Sequence, residues 1–176
     1  AADAYRRILE YPLPSSWQDR YRWLAVKCLK EDPETRPKAF ALCRALCAEA
    51  RSSRTRLEAA KVLAESGDPE DRFEAAYAMV KSAAYKDASK LLPKLTEGEA
   101  EEPRWAYLRA RVFLGTRETA RGRTLLQTIL EARPDTEWAR LSLMHLARSF
   151  LASGDRETAN AMLETLLTAY PESEEA

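Results

Sequence analysis

Apolar side chains fall three and four residues apart along nearly the whole chain, and polar or proline-bearing turns interrupt the pattern at short intervals. A 3.6-residue period predicts helices, and no stretch alternates at period two as a strand would. The first expected helix covers roughly 1–10 and stops at Tyr11-Pro12-Leu13-Pro14. Ser15 and Ser16 are placed to cap a second, from Trp17 to about Lys30, with Tyr21, Leu24, Ala25 and Cys28 on one face. After Glu31-Asp32-Pro33 a third runs from about Glu34 to Ala50 through Phe40, Cys43, Leu46 and Cys47. Ser52-Ser53 starts a fourth, which ends at Gly67-Asp68. Pro69 opens the fifth, where a missing N–H costs nothing, and Phe73, Ala76, Tyr77 and Val80 line it. The sixth, about 85–96, gives way to the acidic stretch Thr96 to Glu102, expected as a solvated loop. Pro103 opens the seventh, through Trp105, Leu108 and Val112 to Gly115. The eighth covers about 117–132, with Leu125, Leu126, Ile129 and Leu130 inside. Asp135 is the expected cap of the ninth, which carries Trp138, Leu143, Leu146 and Phe150. Asp155 is that of the tenth, which ends at Tyr170-Pro171, and Glu172 to Ala176 read as the stub of another helix.

Ten short helices fit a globular bundle or a stacked array, and the spacing of the breaks decides. Prolines recur at 33, 69, 103, 134 and 171, after every second helix, with gaps of 36, 34, 31 and 37 residues. The unit is therefore two helices in about 34 residues, repeated five times over 1–33, 34–68, 69–102, 103–134 and 135–171. A small residue recurs in the first helix of a unit at Ala45, Ala76, Ala110 and Ala147, where a large side chain would push the helix axes apart. Gly67-Asp68-Pro69 also admits a shifted register in which the fourth helix opens a repeat, but that leaves one helix unpaired.

The last unit resembles a tetratricopeptide repeat, whose pattern is W-x2-L-G-x2-Y, then A-x3-F, then P. It has Leu143, Leu146, Ala147 and Phe150, then Ala159, Leu163 and Pro171, all at the family spacing, with Gly154-Asp155 as the turn. The fourth unit offers Ala106, Arg109, Ala110, Phe113, Gly122, Leu126 and Pro134, with arginine where the family has leucine. The third offers Arg72, Ala75, Ala76 and Met79, then Ala88 and Leu92, with Pro103 delayed by the acidic stretch. The first two units follow by helix count and proline placement.

This resemblance implies an all-α fold, a right-handed superhelix (solenoid) of about five helix-turn-helix repeats, stable only because each pair stacks on its neighbours. It also implies a concave wall of first helices that binds peptides or partner proteins. Carried onto this register, the wall comprises Phe73, Tyr77 and Lys81, then Arg104, Tyr107 and Arg111, then Met144, Arg148 and Leu151.

Charge narrows the function classes. The 28 basic and 28 acidic residues cancel, which removes the field that non-specific nucleic-acid binding relies on. RNA binding is disfavoured on the same ground. No apolar run approaches the ~18 residues of a membrane span. The opening Ala1-Ala2-Asp3-Ala4-Tyr5-Arg6-Arg7 lacks the basic-then-apolar layout of a signal peptide, and the chain is read as a fragment of a longer protein.

His145 is the single histidine, and the chain has no His-Glu-x-x-His arrangement, Ser/His/Asp set or glycine-rich phosphate loop. No catalytic residue, cofactor or metal is expected. Cys43 and Cys47, four apart on one face, supply two of the four ligands a closed zinc site needs, with Cys28 a third. The expectation for them is packing as small apolar residues. Trp17, Trp23, Trp105 and Trp138 are expected in the core or half-core.

The function expected is a non-enzymatic scaffold that binds a protein or peptide with apolar anchors and acidic residues. An arginine- and alanine-rich chain with this resemblance suits a bacterial envelope, secretion or exopolysaccharide-export assembly. The alternatives are self-association as a homodimer through an uncapped terminal pair, and an appendage that positions an enzyme elsewhere in the parent chain. Free cysteines tilt the compartment toward the cytoplasmic side, with tethering through segments outside this chain, and the periplasm is the alternative.

Overall fold

The computed structural model describes residues 15–94 and 102–171. The helix expected over 1–10, the stub at 172–176 and most of the acidic stretch lie outside the described residues. Among the described residues there are nine helices and no strand, an all-α helical repeat as expected. They are α1 (Ser15–Leu29), α2 (Arg36–Glu49), α3 (Ser53–Leu63), α4 (Pro69–Lys81), α5 (Tyr85–Leu91), α6 (Pro103–Gly115), α7 (Thr119–Ala132), α8 (Glu137–Ala152) and α9 (Arg156–Ala169). The chain divides into two compact units, 1–91 and 92–176. In the first, each helix from α1 to α5 packs on the next, and α1 reaches α3 while α2 reaches α4. In the second, α6 to α9 pack in sequence and α6 also lies against α8.

Local chemistry sets the boundaries. Asp68 accepts from the backbone N–H of Glu70 at 2.8 Å and of Asp71 at 3.1 Å, with Pro69 at the first helical position. Ser52 caps α3 through Thr55 N–H at 3.3 Å, and Asp155 caps α9 through Thr158 N–H at 3.1 Å. The cap of α8 is Thr136, whose hydroxyl accepts from Ala139 N–H at 3.2 Å, rather than the expected Asp135. Helix α1 begins at Ser15, two residues ahead of the expected Trp17. Helix α5 stops at Leu91, well short of the expected 96, because Pro93 disfavours helical backbone at Leu92. Side chains replace the lost helical bonds: Arg72 Nε donates to the Leu91 carbonyl at 2.6 Å, and Arg109 Nη2 to that of Pro93 at 2.7 Å.

The same tight turn joins three helix pairs. Ala83, Arg117 and Gly154 each adopt positive φ, of 58°, 70° and 83°. The next residue's N–H bonds back in each case, Ala84 to Met79, Glu118 to Phe113 and Asp155 to Phe150. These bonds run from the end of one helix to the start of its partner at corresponding repeat positions. Only the last turn places glycine in the left-handed region that disfavours other residues, so sequence flags that one and hides the other two.

Close packing rests on small side chains. Ala76, Ala110 and Ala147 are wholly buried, as their recurrence predicted. Ala45 is only half-buried, a correction explained by the stripe that α2 turns inward: Ala39, Cys43, Leu46, Cys47 and Ala50. Cys43 therefore takes the close-approach place in α2. Cys43 and Cys47 behave as small apolar residues, and burial raises each thiol to about 12. Trp23, Trp105 and Trp138 are half-buried, but Trp17 is 48% exposed. It sits in the first turn of α1, where its ring meets Tyr21 and Arg20 of the same helix.

Candidate partner-binding surface

Helices α6 and α8 lie side by side, so positions about one repeat apart face each other. Tyr107 and Arg111, four residues apart on α6, project from one face of that helix. The Tyr107 ring is 1% exposed, lying 5.4 Å from the Trp138 ring and 5.8 Å from the His145 ring of α8. This buried aromatic group fixes Arg111: Nη1 donates to Tyr107 Oη at 3.0 Å and meets His145 Nε2 at 2.6 Å. A guanidinium has only donors, so Nε2 is the acceptor and the imidazole proton is on Nδ1. Burial, then the charges of Arg111 and Arg148, drive the His145 pKa down to about 3. The ring is neutral at physiological pH and a weak base.

Around this pair the remaining wall residues are distributed unevenly. Arg148 and Leu151 of α8 are exposed, and Met144 is half-buried. Arg104 is half-buried beside Glu102, Nε to Oε2 2.9 Å. Among the described residues neither Arg111 nor Arg148 has a carboxylate partner, and both bring their charge to bear on His145. In the first unit, Phe73 is buried and stacks on Tyr77 at 6.1 Å, and Lys81 places its ammonium 5.5 Å from the Tyr77 ring. Phe73 in the first unit and Tyr107 in the second are thus buried rather than offered to a partner. The accessible groups are Tyr77 and Lys81 in the first unit, and, on the separate face of the second, Arg111, Met144, Arg148 and Leu151.

Sequence reasoning treated His145 as incidental and did not connect it to Arg111. The signal was available: the two residues stand 34 apart, one repeat length, on first helices of consecutive pairs. Among the described residues no grouping of His, Cys, Asp or Glu could hold a metal ion. A hollow of about 530 Å³ opens between α6 and α7, lined by Arg109, Phe113, Arg121 and Leu125. Its rim cation Arg121 is already paired with Glu118 and lies over Phe113.

The last described helix of the second unit presents apolar side chains. Leu126 of α7 is wholly buried and Leu130 half-buried, with α8 packed against that helix. The corresponding α9 residues, Leu163 and Leu167, are exposed, Leu167 by 51%. No helix among the described residues follows α9.

A family model for the tetratricopeptide repeat matches residues 141–173, most of α8 and all of α9. The match supports a tetratricopeptide-like helical repeat, the class this pair of stacked helices already suggested. Such repeats generally mediate protein–protein interaction and are typically non-catalytic. No curated protein and no solved structure matches the chain. No described helix is long and apolar enough to cross a membrane.

Proposed function

We propose that this chain is a non-enzymatic scaffold that binds an acidic, apolar-anchored segment of a partner protein on the α6–α8 face of its second unit. The observation that carries this reading is the pair Arg111 and Arg148, two guanidiniums with no carboxylate partner among the described residues of a chain that is neutral overall. An incoming carboxylate would gain charge-assisted hydrogen bonds there. Leu151, 46% exposed, and the half-buried Met144 offer apolar contact alongside. Tyr77 and Lys81 present similar chemistry on the first unit. An arginine- and alanine-rich sequence and the repeat resemblance support placement in a bacterial envelope, secretion or exopolysaccharide-export assembly. Arg148→Glu is the cleanest test, since that side chain is exposed and its loss disturbs no packing. A partner captured by the native chain should bind this variant at least about tenfold more weakly, with unchanged circular dichroism. Equal binding would move the site to another face.

The exposed Leu163 and Leu167 favour a second reading, self-association through the α9 end. Light scattering across a concentration series checks it, and a monomer throughout would remove it.

A further inference from the structure

We infer that His145 is itself a ligand-binding residue: a partner carboxylate that reaches Arg111 displaces the imidazole from the guanidinium, and the freed Nε2 takes up one solvent proton and donates it to that carboxylate. This rests on the α6–α8 face proposed above, and names how that face recognises its anion. The Arg111 Nη1 group already holds the imidazole at 2.6 Å, so both recognition groups meet at one point. A carboxylate is a stronger acceptor for a guanidinium than a neutral ring nitrogen, because both partners of the bond are then charged. Once displaced, Nε2 would be a buried acceptor without a donor, an arrangement that folded proteins avoid. Protonation turns it into a donor aimed at the same carboxylate, and only a proton moves.

The charged surroundings support this direction. Arg111 of α6 and Arg148 of α8 are the charges that act on His145, and Tyr107 of α6 lies against its ring. No charged group of α7 or α9 is among the causes that shift it. In the free protein burial and these two cations oppose the proton, whereas a bound carboxylate offsets the cations. The bound state therefore holds more protons than the free state, and affinity rises as pH falls. The useful window is pH 7 to 5, because the free imidazole stays neutral there and glutamate carboxylates remain mostly ionised, reaching half-protonation only near ~4.3.

His145 is the chain's one histidine, so its imidazole Cε1–H signal is unambiguous in proton NMR. The probe is an acetylated, amidated peptide of four glutamates flanked by leucines, with a glutamine counterpart as control. With the glutamate peptide, affinity measured by calorimetry should rise about tenfold between pH 7 and 5, and the imidazole signal should move to its protonated position. The glutamine peptide should do neither. His145→Gln keeps an acceptor for Arg111 without a titration and should flatten the pH dependence. If that variant fails to fold, the native signal decides alone. Peptide binding with the imidazole neutral throughout overturns the proton uptake and leaves the α6–α8 binding face standing. No binding of the glutamate peptide at either pH overturns both.

Discussion

Replacing Arg44 by methionine lowers the stability of the first unit by about 2–3 kcal/mol at pH 7, at and just below the bottom of the ~3–5 kcal/mol range for breaking a fully buried ion pair. Asp71, on α4, is 2% exposed, and Arg44 of α2 grips it with two bonds, Nε to Oδ1 at 2.5 Å and Nη2 to Oδ2 at 2.8 Å. Without the guanidinium, a carboxylate is left buried where helix α2 should close over it. The cost stays below the fully buried extreme because the Arg44 side chain is half exposed, and water can enter where it stood. Burial acts to raise the Asp71 pKa, but bonds from Arg44 and Ser66 and the Arg44 charge outweigh it, and the net direction is downward. A depressed carboxylate stabilises the fold above its unfolded value near ~3.9 and loses that contribution as pH falls through its lower folded value. The native pair therefore holds through pH 5, while Asp71 in the variant takes up a proton more readily. Urea unfolding at pH 7 and pH 4.5 should show the gap between the two proteins narrowing in acid. A gap unchanged with pH would mean that Arg44 contributes packing and not charge.

This pair also shows where sequence reading ran out. The helices were legible because each carries its own periodicity and most breaks are marked by proline, glycine or a capping hydroxyl. The last repeat was legible in register because Leu143, Leu146, Ala147, Ala159 and their spacing are chemically conservative. Ion pairs between helices carry no local signal. Arg44 and Asp71 stand 27 residues apart, and α2 sits in a unit assigned by helix count and proline placement rather than by motif. The Arg111–His145 contact was hidden differently, since a lone histidine beside leucine and methionine invites dismissal. The repeat length of 34 places the two at equivalent positions, and the structure shows the ring nitrogen on the guanidinium. The candidate surface was read as nine equivalent side chains, yet two of its aromatics, Phe73 and Tyr107, are buried. Position on a helix face follows from sequence, but exposure depends on what the neighbouring helix places above it.

Gly122→Val should destabilise the second unit by about 2–3 kcal/mol, whereas Gly122→Ala should stay within about 1 kcal/mol of the native protein. A Cβ at this position would lie 2.8 Å from Leu114 Cγ, 2.9 Å from Leu114 Cδ2 and 3.0 Å from the Ala110 carbonyl oxygen. The leucine end can turn aside for a single methyl, and alanine's better helix propensity offsets part of the strain. Valine adds two branches that press on the α6 backbone, which cannot turn aside. It therefore forces α6 and α7 apart, and β-branching removes the propensity gain. The equivalent positions in the neighbouring pairs are Ala88 and Ala159, both fully buried, so this joint ordinarily accepts a methyl group. What differs is the residue opposite: Leu114 is half-buried against Gly122, while its counterpart in the last pair, Leu151, turns toward solvent. Leu114→Ala should then rescue part of the Gly122→Val loss, a coupling that a double-mutant cycle in urea reads directly. Additive losses would show that the tightness at Gly122 comes from the Ala110 backbone alone.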